Sequence, residues 1–398
     1  MKVLRKINKD IYYIGGSDLR LELFENLFPL TSGVSYNSYF IDDEKTCVLD
    51  TVDSSVADCF FEELDIALKG RTLDYLIVQH LEPDHSSCIR KVLEKHPKTT
   101  LVVNARCKDM LFAMLEQELT SPIQIVKEND ILKLGRHELT FVMAPMVHWP
   151  EVMVTYDLTD NILFSADAFG TFGALSGNIF NDEMPIDKEF FNEVRRYYTN
   201  IVGKFGGPVQ KLLAKAKTLP IQMICPLHGP IWRTNLETFI EKYDLWSRYE
   251  AEDDEIIILY ASMYNNTYYA CMDLANLLAN QGIKNIKLYD VSKTDVSYLI
   301  AEIFRVRKIV LASPNYNGGI YPKMLNLLED MKALSVKNKI VGLIENGSWA
   351  LVVAKQMKEH LDAMGNMKVV EPIVQLKTTV KEENIAALEA LSTALINE

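Results

Sequence analysis

The sequence predicts an α/β chain in two domains, and three observations lead there. Its 398 residues exceed what one hydrophobic core usually organises. A charge-rich stretch, residues 249–255 (Tyr-Glu-Ala-Glu-Asp-Asp-Glu), reads as a linker, because like charges favour solvent over packing. Beyond it, apolar strand-like runs alternate with helical ones, the pattern of a doubly wound parallel sheet whose ligands sit beyond the carboxyl ends of its strands. The domains are therefore expected at 1–252 and 253–398.

In the first domain, 11–14, 36–41 and 46–50 alternate or run apolar and read as paired antiparallel strands. A helix with one apolar face follows, from Ser54 or Ser55 as N-cap to Gly70 as its stop. Further buried strands are expected at 73–79, 99–103, 139–144, 162–165 and 221–225. In the second domain, strands at 256–260, 283–289, 308–312, 340–344 and 369–376 alternate with helices at 267–282, 296–306, 321–334, 349–364 and 381–397.

Composition excludes several functions. A formal net charge of −12 argues against binding a phosphate backbone or an anionic lipid surface, so neither nucleic acid nor membrane is an expected partner. The start, Met1-Lys2-Val3-Leu4-Arg5-Lys6, turns polar before an apolar signal region develops, and no later run has the length of a membrane span, which points to the cytoplasm. The six cysteines are scattered without a C-x-x-C pair, so buried thiols are expected rather than a disulfide framework, a zinc ribbon or a rubredoxin-type iron site.

The chemistry concentrates at 76–87, where Leu-Ile-Val-Gln empties into His80, Glu82, Asp84 and His85. An extended backbone aims His80 and Glu82 to one side, while Pro83 breaks the strand and lets Asp84 and His85 swing round from a loop. His148, Asp167 and His228 each follow another apolar run, so ligand types recur at strand exits, and stacked sheets would bring those exits to one rim. The other three histidines, His96, His137 and His360, fall in segments that read as exposed turns or helix. A single histidine or aspartate at a strand end is usually a loop hydrogen-bonder. As a group, these ionisable side chains leading out of apolar strands need partners that a shared metal supplies. Four histidines and three carboxylates without a thiolate are too many for one tetrahedral ion, and two ions sharing a bridging carboxylate is the economical solution. Oxygen ligands mixed with imidazole suit iron or manganese as well as zinc.

In the second domain, the first strand-to-helix crossing is Ser262-Met263-Tyr264-Asn265-Asn266-Thr267. Hydroxyls and amides at a helix N-terminus bind phosphate without a cationic side chain, and asparagine tolerates a left-handed backbone. Without a Walker lysine or a glycine triplet, the loop suits a nucleotide monophosphate. Two more strand exits, Ser313-Pro314-Asn315-Tyr316-Asn317-Gly318 and Asn346-Gly347-Ser348-Trp349, offer aromatic rings and backbone amides suited to a flat heteroaromatic ring.

H-x-E-x-D-H at residues 80–85, followed by His148, Asp167 and His228, resembles the diiron site of the flavodiiron proteins, and the three later loops resemble a flavodoxin FMN site. The resemblance implies an N-terminal αββα metallo-β-lactamase-like sandwich followed by a flavodoxin-like, doubly wound, five-stranded parallel sheet. Hydrolases of the first fold normally carry H-x-H-x-D-H; Glu82 in place of the second histidine tilts the site from zinc toward iron. By similarity, His80, Glu82 and His148 hold one iron, Asp84, His85 and His228 the other, and Asp167 bridges them. Asn265 and Gly318 stand where many relatives carry glycine and asparagine, and Glu25 lies near a position where many have histidine. Trp149, Tyr197, Tyr198 and Glu25 are candidates for the surrounding layer.

The implied activity is reduction of dioxygen to water, or of nitric oxide to nitrous oxide, with two irons and FMN as cofactors. Two ferrous ions and a reduced flavin together hold the four electrons that dioxygen needs, and joining two nitric oxide molecules takes two. The resemblance further implies a head-to-tail homodimer or a dimer of dimers, in which the flavin of one subunit faces the metals of the other. Electrons would come from a separate donor: a rubredoxin, a flavoprotein reductase or a reduced deazaflavin. The rival readings are a binuclear zinc hydrolase fused to a flavodoxin-like module, and a flavin shuttle with a vestigial metal site.

Overall fold

A computed structural model describes residues 3–114 and 120–398. The chain divides into two compact units, one ending at Asp244 and the other beginning at Leu245. The division falls before the expected boundary because residues 249–255 are not a solvated linker. Tyr249 is buried and its ring lies 5.9 Å from that of Phe304, while Trp246 Nε1 donates to Glu252 at 2.8 Å. The acids that follow neutralise a cation: the buried Arg305 guanidinium binds Asp253 at 2.8 Å and also Glu255. Opposite charge outside the stretch holds its acids at 253 and 255, and the stretch alone does not reveal that partner.

In the first unit, two sheets face each other. One runs in spatial order Arg5–Lys6, Ile11–Tyr13, Tyr39–Asp42, Thr46–Leu49, Tyr75–Ile77, Thr100–Asn104 and Ile123–Val126. The other runs Ile131–Lys133, Glu138–Met143, Met153–Asp157, Ile162–Phe164 and Met223–Cys225. Tyr39, Leu49, Ile77 and Val102 of the first share one buried apolar cluster with Phe141, Met153, Phe164 and Cys225 of the second, so the sheets are the inner layers of a sandwich. The helices Ala57–Leu68 and Ala105–Met114 pack against the first sheet. The first of these is preceded by a 3₁₀ turn capped by Asp53, whose carboxylate accepts from Ser55 N; the cap is therefore one residue earlier than the serines expected for it.

Gln79 ties the two layers together at the edge where the candidate ligands emerge. Its backbone carbonyl accepts from Met153 N at 3.1 Å and its side-chain oxygen from Thr155 N at 2.8 Å. Its amide donates to Asp50 at 2.7 Å, while the same carboxylate accepts from the backbone N–H of Gln79 at 2.7 Å.

The second unit holds a parallel sheet in the order Lys287–Asp290, Asp253–Tyr260, Val306–Tyr316, Lys339–Asn346 and then a split fifth strand, Met367–Val369 and Val374–Leu376. Pro372, which has no N–H for the ladder, lies in the interruption. This is the doubly wound flavodoxin order, whose strand reversal lies between the exits of Asp253–Tyr260 and Val306–Tyr316. The helix that follows Asp253–Tyr260, Asn266–Asn280, carries Ala270, Cys271, Leu274 and Leu278 into the core. No helix among the described residues is long and apolar enough to cross a membrane.

Lys339 is buried in this unit, with Nζ donating to the carbonyls of Phe304 (3.3 Å) and Val306 (2.6 Å). Burial without a counter-charge pushes its pKa down to about 7. Between that value and the ordinary 10.5, the unfolded chain holds a proton that the folded chain does not, so stability rises with pH across this window. In denaturant titrations the native chain is expected to gain on Lys339→Met as pH rises from about 7 to about 10.4, with no change below. A constant difference between the two proteins would show that Lys339 stays charged in the fold.

Candidate metal centre and nucleotide cradle

The candidate ligands leave both sheets at one edge. His80 lies three residues past Tyr75–Ile77, His148 between Glu138–Met143 and Met153–Asp157, Asp167 past Ile162–Phe164, and His228 past Met223–Cys225. Asp84 and His85 are not in a loop, as the proline suggested; Pro83–Ser86 is one turn of helix with Pro83 at its first position. Proline suits that position because the first N–H of a helix has no internal acceptor. The turn is clamped from below, where Thr51 Oγ1 donates to the His85 carbonyl at 2.6 Å and Thr51 N does so at 3.0 Å.

Two groups result. The ligand atoms of His80, Glu82, His148 and Asp167 lie within 4.8 Å of one another, and so do those of Asp84, His85 and His228. Asp167 belongs to both by geometry. Its Oδ2 lies 3.0 Å from His148 Nε2 and 3.4 Å from His80 Nε2, while its Oδ1 lies 3.1 Å from His85 Nε2 and 3.8 Å from His228 Nε2. Glu82 completes the first group, at 3.0 Å from His148 and 3.2 Å from His80. Asp84 completes the second, at 3.3 Å from His85 and 3.2 Å from His228. Ligands about 2.1 Å from one ion stand somewhat over 3 Å apart, which is the spacing found.

Electrostatics ask for cations here. Both oxygens of Asp84 and Oδ1 of Asp167 are buried without a hydrogen-bond partner. His85 Nε2 and His228 Nε2 face each other at 3.0 Å, while His228 Nδ1 donates to the Ser35 carbonyl at 2.7 Å, which leaves Nε2 as the ring atom turned into the site. Burial works against every charge in the cluster, yet the charges of His85 and His80 hold the Asp167 carboxyl well below its ordinary range. In return, and against burial, Asp167 and Glu82 raise His148 to about 9. Protons on imidazole thus supply the compensation that metal ions would supply by displacing them.

Residues beyond the seven candidates hold this arrangement, and the sequence reading does not single them out. Glu151, fully buried, accepts from His80 Nδ1 and from Leu81 N, each at 2.9 Å. Asn37 Nδ2 donates to the carbonyls of Pro226 and Gly229, each at 2.8 Å, which fixes the turn carrying His228. In that turn Gly229 has φ +76, and an added Cβ would meet the Thr171 side chain. A carboxylate three residues after a candidate ligand is the one available signal for Glu151, since ligating histidines usually give their second N–H to such a group.

The other candidates divide. Trp149 sets its ring edge-on to His80 at 5.3 Å, and the buried Tyr197 lies 5.6 Å from His228 with its hydroxyl unpartnered. Tyr198 instead joins the aromatic cluster at Tyr243, 4.8 Å away. Glu25 lines a cavity of about 470 Å³ that opens on Glu82 and Asp84; although partly at the surface, its carboxyl is raised to about 8 by desolvation and then by the Glu82 charge. His137, expected in an exposed turn, is fully buried with Nδ1 2.8 Å from Asp157, since the hairpin before Glu138–Met143 folds against Asp157 at the end of the neighbouring strand.

In the second unit, one cavity of about 170 Å³ is lined by Ser262, Met263, Tyr264, Asn266 and Thr267, by Pro314 and Asn315, and by Asn346, Gly347, Ser348 and Trp349. Asn265 caps the helix from the left-handed region (φ 66), and Ser262 Oγ is buried without a hydrogen-bond partner. Tyr264 and Trp349, 85% and 74% exposed, leave two large rings free to stack on a flat ligand. At Gly347 an added Cβ would collide with the Ala350 carbonyl. Ser313 lies off the cavity, its hydroxyl on the Pro314 carbonyl and on Tyr321 N. Tyr316, Asn317 and Gly318 also lie off it; Asn317 (φ 53) and Gly318 (φ 80) make the tight turn into Gly319–Ile320. Thr378, not singled out by the sequence reading, also lines the cavity and ties Ser348 through its hydroxyl at 3.0 Å.

Comparison with known proteins gives the same picture. A family model described as ODP family beta lactamase matches residues 34–229. The anaerobic nitric oxide reductase flavorubredoxin of Vibrio vulnificus is 31% identical over 96% of this chain and 77% of its own length. An uncharacterised protein of Methanocaldococcus jannaschii is 30% identical over 96% of this chain and 95% of its own. Rubredoxin oxygen:oxidoreductase from the anaerobe Desulfovibrio gigas has a similar structure, with a TM-score of 0.90 and 25% identity over 99% of this chain and 98% of that one. The flavodiiron protein of Giardia intestinalis matches in fold with a TM-score of 0.91 at 24% identity, over 100% and 98% of the two chains. The first unit is thus metallo-β-lactamase-like and the second flavodoxin-like, as the motifs implied. The chain belongs to the flavodiiron proteins.

Two substitutions separate the sites. Asp167→Ala is expected to remove both metals while flavin stays bound, and two metals per chain by elemental analysis would contradict the bridging position. Thr267→Val is expected to weaken FMN binding about tenfold, roughly the worth of one lost hydrogen bond, with metal content intact; unchanged affinity in a fluorescence titration would remove Thr267 from the cradle.

Proposed function

We propose that this chain is an oxidoreductase that reduces dioxygen to water, nitric oxide to nitrous oxide, or both, at a diiron centre that receives electrons through FMN. The observation that carries the reading is the placement of Asp167, one oxygen in each ligand group, beside Glu82 where a zinc hydrolase of this fold would present histidine. His80, Glu82 and His148 would hold one iron, Asp84, His85 and His228 the second, and Asp167 both. The irons and the flavin, when bound, supply electrons and open coordination positions to the gas.

The remaining work is done by side chains. Glu82, Asp84 and Asp167 balance the charge of two divalent ions in a buried site, while Phe24 and Tyr36 line the approach from the 470 Å³ cavity. In the second unit, the helix N-terminus at Asn266 and Thr267 would take the FMN phosphate, and Tyr264 and Trp349 would flank the ring.

The reading includes a head-to-tail pair of chains, or a dimer of such pairs, in the cytoplasm. It is supported by exposed Leu19, Leu23 and Leu27 near the metal cavity and by the exposed rings at the flavin loops, apolar surface that an association would cover. Reductant would come from a separate rubredoxin, flavoprotein or reduced deazaflavin. Protein purified and iron-loaded without air, then reduced chemically, is expected to consume dioxygen or nitric oxide over many turnovers; a chain holding two irons and FMN that consumed neither gas would overturn the assignment.

A further inference from the structure

The two ligand groups match in what they present directly to a metal. Each has two histidines and one carboxylate of its own, Glu82 or Asp84, and they share Asp167. They differ one layer out, at the histidine Nδ1 atoms. His228 Nδ1 donates to a neutral carbonyl, that of Ser35, and His85 Nδ1 has no hydrogen-bond partner. His80 Nδ1 meets the carboxylate of Glu151 at 2.9 Å. Among the described residues, no other candidate histidine has a carboxylate on that atom.

Glu151 is placed to act through that contact. Its side chain has no exposed surface, and Oε1 takes both His80 Nδ1 and Leu81 N, while Oε2 is buried without a hydrogen-bond partner. Its backbone carbonyl accepts from Asn104 Nδ2 at 2.6 Å, which fixes it from the first sheet. No Lys or Arg pairs with it among the described residues. A buried carboxylate with this little compensation is stabilised by positive charge reaching it through the imidazole, and it makes that imidazole a stronger donor.

We infer that Glu151 is a positioning residue that makes the two iron positions unequal. Its charge, passed through His80, favours the ferric state on the His80–Glu82–His148 side. That iron therefore loses its electron first when the diferrous centre is oxidised, and the Asp84–His85–His228 position, lacking such support, releases its metal first. The inference rests on the diiron reading above, and the test begins with protein shown to hold two irons per chain; a chain without iron would defeat that reading rather than this one.

Glu151→Gln keeps an acceptor for His80 Nδ1 and Leu81 N and removes the charge. In a redox titration of the iron-loaded protein, followed by the electron paramagnetic resonance signal of the half-oxidised centre, the variant is expected to form this state with an equilibrium constant at least tenfold smaller. For one electron, that is about 59 mV less separation between the two steps. An unchanged or larger constant, with two irons still bound, overturns the inference. A second measurement needs only the native chain: graded chelation is expected to leave one iron, located by anomalous diffraction among His80, Glu82 and His148. Loss of both irons together, or survival of the other iron, also overturns it.

Discussion

Three carboxylates, Glu82, Asp84 and Asp167, are brought to one edge of a sandwich where the surrounding side chains offer little but imidazole. Burying that much negative charge is costly unless cations enter with it. Much of the first unit serves this constraint. Gln79 and Asp50 lock the ligand stretch to both sheets, Thr51 clamps the helical turn, and Asn37 fixes the turn at His228. Histidine protons can balance the charge in the metal-free chain, but the two oxygens of Asp167 point to different groups, and two ions explain that geometry better than one.

The candidate ligands were legible in the sequence because each follows an apolar run, where an ionisable residue is out of place unless something binds it. Strand alternation past residue 255 made the doubly wound parallel sheet legible for the same kind of reason: buried parallel strands are nearly continuous apolar runs. What escaped was long-range. Glu151 and Asn37 are ordinary polar residues until the fold sets them against His80 and the His228 turn. His137 reads as a turn residue until Asp157, twenty positions away, buries it. The acids at 253 and 255 look solvated until Arg305 arrives from another segment.

In the second unit the same limit appears on a smaller scale. The loops 262–267 and 346–349 converge on one cavity because they leave the carboxyl ends of Asp253–Tyr260 and Lys339–Asn346, the two strands that flank Val306–Tyr316 in the sheet. The turn at 316–318 carries similar residue types, but its backbone is used to reverse the chain into Gly319–Ile320. Thr378 contributes through a contact with Ser348 that no local pattern announces. A site is therefore easier to locate from sequence than to delimit.

On the proposed reading, one carboxylate, Asp167, joins two irons. Diffraction from crystals of the anaerobically iron-loaded protein, collected on either side of the iron absorption edge, tests it most directly. Two iron peaks are expected, one among His80, Glu82 and His148 and one among Asp84, His85 and His228, each bonded to a different oxygen of Asp167. A single peak, a zinc signal in their place, or an Asp167 bound to only one ion would contradict it.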